Sequence, residues 1–133
     1  MSQETDDACI ALAIVRGEMP ISALAKAGVS MKFLKKHAEG KSRAIVITQE
    51  RPFELRPTVA DIAAGLLNHV VELKQLSDWA TLLQAADWID FASAEAHPDW
   101  DMLITALWDA SFSGKVEKAA IDAAERITSP TGN

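Results

Sequence analysis

The sequence lacks several features that define large classes of protein. Its 133 residues include one cysteine, Cys9, so no disulfide can form within the chain, which fits a reducing compartment. No apolar run approaches the roughly 20 residues needed to cross a bilayer. Acidic residues precede the first apolar stretch, the reverse of the charge order in a secretory signal. We therefore expect a cytoplasmic protein that does not enter a membrane.

The motifs of common catalytic and cofactor sites are missing as well. The sequence has no glycine-rich phosphate loop and no nucleophile elbow. Cys9 lies among apolar residues of a predicted helix, where a buried, inert thiol is expected. His37, His69 and His97 are far apart and lack zinc-site spacing, which favours surface or helix-end positions. We expect no enzyme activity, no cofactor and no metal, and a protein that acts by binding other macromolecules.

The charge of the chain is divided between its two ends. The net charge is −6, but residues 1–43 carry seven Lys/Arg against five Asp/Glu, and residues 44–133 carry six against fourteen. The excess of cations is concentrated in residues 26–43, with six cations against Glu39. This division indicates a basic surface for phosphate and an acidic surface for a cationic partner. The alternative is two ordinary solvated faces.

Residues 1–57 are predicted to form short helices and one β-hairpin. Asp6 and Asp7 begin a helix that continues to Val15, and a second helix over 22–27 ends at Gly28. A third helix is predicted from Ser30 to about Ala38. The β-branched run 44–48 and the segment 52–55 flank a short polar turn, which predicts that they pair as a hairpin.

The remainder of the chain is predicted to be helical, which makes the fold mainly α with a small β part. Thr58 and Asp61 form a capping box ahead of an apolar pattern with helical spacing. Further helices are predicted from Ser77, from Asp99 and from Lys115 to about Ile127, packed as an antiparallel bundle. We expect two parts, a possible DNA-binding part over 1–57 and an acidic helical part over 58–128, followed by a disordered tail over 129–133.

Two groups of residues are candidates for binding. The first is a basic face that suits a phosphate backbone; its members are Lys32, Lys35, Lys36, Lys41 and Arg43. The second combines tryptophans outside the predicted core stripes with aspartates, and suits a basic protein partner; its members are Trp88, Asp90, Asp99, Trp100, Trp108 and Asp109. The alternatives are a solvated helix face for the first group and tryptophans that close the end of the bundle for the second.

The stretch 21–57 resembles the N-terminal domain of the prevent-host-death (Phd/YefM-type) antitoxins of bacteria. The resemblance is carried by Ile21-Ser22-Ala23, by the residues from Ser30 to Leu34, by Gly40, and by the run AIVITQERPFEL. In that family an apolar strand ending in Ile-Thr is followed by a basic residue, a proline and a second apolar strand. Here Gln49-Glu50 stands where the family has a turn glycine, and about twenty residues precede the matching stretch.

The resemblance implies a dimeric, operator-binding autorepressor whose other part neutralises a toxin, a small basic protein. The acidic part is also broadly similar to bacterial toxin-immunity proteins, in particular at Leu76-Ser77-Asp78-Trp79-Ala80. That second likeness implies a protein-binding module with no DNA function. A third pattern, from Leu24 through Gly28 to Ser30 with Leu34 following, resembles a helix-turn-helix. Both the first and the third readings place DNA binding in 26–43.

Overall fold

The computed structural model describes residues 3–34, 44–71 and 75–129. Within these ranges the chain is mainly α-helical with one two-stranded sheet, as predicted. The elements are α1 (Gln3–Val15), a 3₁₀ helix (Ile21–Ala27), β1 (Val29–Leu34), β2 (Ala44–Gln49), α2 (Val59–Val71), α3 (Leu76–Ala85), α4 (Ala92–Glu95), α5 (Trp100–Ser113) and α6 (Lys118–Thr128). None of the described helices is both long enough and apolar enough to span a bilayer.

The first two predicted helices are confirmed. The acidic start of α1 and the glycine after it bound a helix that ends at Val15. The second is a 3₁₀ helix, and it stops at Gly28 because that residue has φ 74°, a left-handed conformation that glycine adopts without steric cost.

A hairpin is present, but the strand over 44–49 pairs with the segment before it and not with the predicted segment 52–55. β2 pairs antiparallel with β1, in a register that sets Val29 opposite Gln49 and Leu34 opposite Ala44. The helix predicted from Ser30 is therefore wrong, and so is the helix-turn-helix, because a strand stands where its second helix would begin. Val29 and Met31 turn inward while Ser30 and Lys32 are exposed, which is the two-residue period of a strand.

The segment after β2 does not form the predicted second strand of the hairpin. Residues 52–54 pair with no strand, and Leu55 forms a single parallel bridge with Ile89. The amide of Leu55 donates to the carbonyl of Trp88 at 3.0 Å, and the amide of Asp90 donates to the carbonyl of Leu55 at 2.8 Å. The antitoxin resemblance implies a second strand here. The segment instead connects the hairpin to the helical part through the backbone hydrogen bonds of Leu55.

The predicted capping box begins α2. The amide of Thr58 donates to the carboxylate of Asp61 at 2.9 Å, and the amide of Asp61 donates to the hydroxyl of Thr58 at 3.1 Å. These two bonds satisfy amides that the first helical turn leaves without partners. The next helices begin at Leu76, Trp100 and Lys118, close to the predicted starts, and the short α4 is an addition that the sequence did not predict.

The buried apolar side chains form one cluster that includes residues of both predicted parts, such as Ile14, Leu24, Leu66 and Leu107. α3 packs on α5, and α2 packs on α6. The division of the chain at residue 57 stays a prediction. Of the predicted disordered tail, residues 130–133 lie outside the described residues.

Close contacts hold α1 against the helical part. The indole nitrogen of Trp79 donates to the carbonyl of Val15 at 3.1 Å, and the amide nitrogen of Asn68 donates to the carbonyl of Arg16 at 2.8 Å. Gly65 of α2 lies at this crossing, where a Cβ atom would stand 2.1 Å from the Val15 carbonyl oxygen. A glycine is required there because no side chain fits between the two helices.

Candidate partner-binding surface

α5 has one buried face and one exposed face. Leu103, Leu107 and Ala110 are fully buried against the rest of the helical part. On the other face Met102 is 41% exposed and Trp108 is 54% exposed. A tryptophan ring that remains more than half in water covers much of a partner's apolar surface at little entropic cost, which is why tryptophan is enriched in binding hot spots.

A groove of about 370 Å³ separates this exposed face of α5 from the start of α6. On the α5 side, Asp101, Met102, Thr105 and Asp109 recur at the spacing of one helix face, and Trp108 belongs to the same face. On the α6 side the groove is closed by Glu117 and by small alanines, Ala119 and Ala120. The floor is therefore apolar and shallow, and the rim is acidic.

The three rim carboxylates, those of Asp101, Asp109 and Glu117, are exposed and form no ion pair with any described residue. Of the basic residues nearest in sequence, Lys115 is exposed and forms no ion pair with a described residue, and the other two pair with acids outside the groove. Lys118 pairs with Asp122 at 3.1 Å, and Arg126 lies 3.7 Å from Asp99. Because no described cation forms an ion pair with the rim carboxylates, the groove presents negative charge to the solvent.

Two of the three predicted tryptophan anchors are not available to a partner. Trp88 is 7% exposed and packs on Phe53, with ring centroids 4.9 Å apart. Trp100 is 8% exposed and packs on Phe91, with centroids 5.5 Å apart. The expected exposure of these two rings is therefore wrong, because Phe53 from the segment after β2 packs on Trp88 and Phe91 from the α3–α5 connection packs on Trp100.

The remaining predicted aspartates divide between structure and surface. Asp90 accepts from the amide of Ala92 at 2.9 Å and lies 3.6 Å from Arg56, so it supports the turn into α4. Asp99 directly precedes α5, and its carboxylate forms an ion pair with Arg126. Asp109 lines the groove, and Trp108 lies beside it in sequence on the exposed face of α5, outside the groove lining. The structure thus places two of the six predicted partner-binding residues, Trp108 and Asp109, on the exposed face of α5.

Of the five residues of the predicted basic face, one, Lys32, belongs to the part of the chain that the structure describes. Lys32 is exposed, and it lies on β1 rather than on a helix. Its cross-strand partner is Val46, which is 42% exposed, so the outer face of the hairpin carries one cation beside an apolar residue. The predicted DNA contacts Lys35, Lys36, Lys41 and Arg43 lie outside the described residues.

Residues considered for catalysis are dispersed. Cys9 is exposed on α1, so the predicted buried thiol is wrong. His69 was expected near the surface but is 8% exposed, and its ring packs on Trp79 with centroids 4.9 Å apart. Burial lowers the pKa of its imidazole, and Nε2 has no hydrogen-bond partner among the described residues. No three His, Cys, Asp or Glu side chains of the described residues cluster as metal ligands.

Sequence reasoning missed Asp101, Met102, Thr105 and Glu117 as parts of the groove. A signal for the first three was present, because they fall opposite the apolar stripe of Leu103, Ala106, Leu107 and Ala110 on the same helix. Glu117 could not be found in this way, since its place depends on how α6 packs against α5.

No protein-family model, no curated protein and no solved structure matches the chain.

Proposed function

We propose that the protein is a binding module that holds a basic protein partner on the α5–α6 groove. The observation that carries this proposal is the exposure of Trp108 on the helix face whose Asp101 and Asp109 line a groove, the three rim carboxylates of which form no ion pair with a described residue. An aromatic anchor supplies most of the affinity at such a surface, while the charged rim selects the sign of the partner and speeds its association.

The antitoxin resemblance suggests which partner and which second ligand the protein binds. The partner would be a small basic toxin, and the basic residues of 32–43 would bind operator DNA through phosphate contacts. The exposure of Lys32 is compatible with that second role. A toxin-immunity protein would use the same groove with no DNA function. A gel shift with operon DNA separates the two, because Lys35→Glu with Lys36→Glu abolishes a complex built on phosphate contacts.

Trp108 provides the direct test of the proposed groove. We expect Trp108→Ala to weaken binding of the partner recovered from the host by a factor of about 30, since truncation of a central aromatic anchor costs about 2 kcal/mol. Isothermal titration with the purified partner measures the change. Val71→Ala is the matched control, because Val71 is 87% exposed but lies on α2. Equal affinity of the Trp108 variant and the wild type would contradict the proposal.

A further inference from the structure

The chain carries in its own sequence a segment whose charge is complementary to the groove. Residues 32–43 contain Lys32, Lys35, Lys36, Lys41 and Arg43 against the single acid Glu39. We propose that the α5–α6 groove of one copy binds the basic segment 32–43 of a second copy. This inference rests on the proposed function in one respect, that it uses the same groove.

Charge is the first argument for this occupant. The groove rim holds three exposed carboxylates with no described ion-pair partner, at Asp101, Asp109 and Glu117. The basic segment has a net charge of +4 over twelve residues. Attraction between exposed charges of this kind extends over a Debye length of about 8 Å at physiological salt and weakens as salt rises. Two copies therefore attract in the orientation that brings groove and segment together.

The exposed aromatic ring is the second argument. A lysine or arginine cation over the face of an indole is stabilised by the ring quadrupole, most strongly for tryptophan. Trp108 presents such a ring on the same helix face as Asp109 and Thr105, which line the groove. A segment rich in Lys and Arg can thus place one cation on the ring and others on the carboxylates. An acidic or neutral segment has neither contact.

The geometry of this contact determines what assembly it produces. The groove and the segment are different parts of the chain, so each copy offers one donor and one acceptor surface, and the contact is heterologous. A heterologous contact continues from copy to copy unless it closes into a ring. It also covers the cations expected to contact DNA, so a polyanion competes with the second copy for the same segment.

The experiment is sedimentation velocity of the full chain over a wide concentration range, at low and at high salt. We expect the average mass of the wild type to rise with concentration at low salt and to return to that of the monomer at high salt. Heparin, a polyanion that binds Lys/Arg-rich segments, should dissociate the assembly at low salt because it competes with the groove for the basic segment. A wild type that stays monomeric at every concentration, or an assembly that resists both salt and heparin, would overturn the proposal.

Two variants assign the contact to its two surfaces. The groove variant combines Asp101→Asn, Asp109→Asn and Glu117→Gln, and the segment variant combines Lys35→Gln, Lys36→Gln and Lys41→Gln. Each alone should raise the dissociation constant at least tenfold. Mixed together, they should form a one-to-one complex that grows no further, because each supplies the surface that the other lacks. Absence of this complex contradicts a heterologous contact.

A third variant controls for net charge. Asp87→Asn, Glu95→Gln and Glu125→Gln remove the same number of exposed carboxylates away from the groove, and this variant should assemble at least as well as the wild type. Circular dichroism verifies that every variant is folded. If the wild type is monomeric but a foreign basic partner still binds through Trp108, this inference fails and the proposed function stands. If Trp108→Ala changes neither self-assembly nor the binding of a foreign basic partner, both this inference and the proposed function fail.

Discussion

His69 is the residue whose chemistry agrees least with its surroundings. It lies in α2 with 8% of its surface exposed, against the ring of Trp79, and the Nε2 atom has no described hydrogen-bond partner. A buried imidazole in apolar contact is tolerated when it is neutral, because the desolvation cost falls on the charged form. The protein therefore contains a group that opposes folding once it binds a proton.

This placement predicts a loss of stability in mild acid. Burial lowers the pKa of His69 below its ordinary value of 6.5, so the unfolded chain binds the proton at a pH where the folded chain does not. The stability due to neutral His69 is complete above pH 6.5 and is lost as the pH falls through the range between 6.5 and the lowered folded-state pKa.

Urea unfolding at about pH 7.5 and 5.5 measures this effect. His69→Gln removes the titration, so the free energy of unfolding of this variant should fall less between the two pH values than that of the wild type. The carboxylates titrate in both proteins, and comparing the two differences cancels their contribution. Equal differences would show that His69 binds its proton in the folded state as readily as in the unfolded chain.

At the scale of elements, the contact between α1, α2 and α3 depends on Gly65. The carbonyl of Val15 and the ring of Trp79 occupy the volume that a side chain at this position would need, at 2.1 Å and 2.5 Å from a Cβ atom. The Val15 carbonyl belongs to the backbone, so relief of this overlap requires the end of α1 to move away from α2. The hydrogen bond from Trp79 to Val15 is lost with that movement.

Gly65→Ala should therefore destabilise the protein although alanine is the better helix former. Helix propensity alone favours alanine by about 1 kcal/mol, whereas inserting a methyl group into a filled contact costs about 1–3 kcal/mol or more. We expect a net loss in the free energy of unfolding, measured by chemical denaturation. Ala64→Gly, on the neighbouring and partly exposed position, is the control and should show the propensity cost alone. A stabilised Gly65→Ala variant would mean that α1 does not pack this closely on α2.

The same elements show what the sequence could predict. The helices α2, α3, α5 and α6 follow from local signals, such as the capping box at Thr58 and apolar residues at helical spacing, because those signals act within one element. β1 could not be predicted in this way. Its residues Val29-Ser30-Met31-Lys32 suit a helix or a strand, and the pairing with Ala44–Gln49 across residues 35–43 decides between them.

The candidate groove shows the same limit. That Trp108 and Asp109 belong to a binding surface was a prediction from composition, and their positions at the exposed face are compatible with it. The burial of Trp88 and Trp100 could not be predicted from helical periodicity, since Phe53 comes from the distant segment after β2 and Phe91 reaches Trp100 only through the turn formed by α4. Whether an aromatic residue binds a partner or fills the core depends on tertiary contacts that periodicity does not contain.

Across the whole molecule, one ion pair joins the first helix to the segment after the hairpin. The guanidinium of Arg51 donates through Nε to a carboxylate oxygen of Asp7 at 2.7 Å and through Nη2 to the other oxygen at 3.3 Å. Asp7 is fully buried, and the side chain of Arg51 is 40% exposed. The hydrogen bond to Asp7 raises the pKa of Arg51, so the guanidinium stays charged in the pair.

Loss of Arg51 should therefore destabilise the protein more than loss of an exposed cation. Arg51→Ala leaves the Asp7 carboxylate buried without its paired guanidinium, and the loss of that charge removes an interaction that offsets its desolvation. Arg56→Ala is the matched control, because Arg56 is 73% exposed and its two ion pairs are longer, at 3.6 Å and 3.8 Å. Thermal unfolding should show a clear drop in Tm for the first variant and little change for the second. Adding Asp7→Ala to Arg51→Ala should cost less than the two single changes together, since the pair acts as a unit. Strict additivity would contradict this prediction, because it would mean that Asp7 and Arg51 stabilise the fold independently of each other.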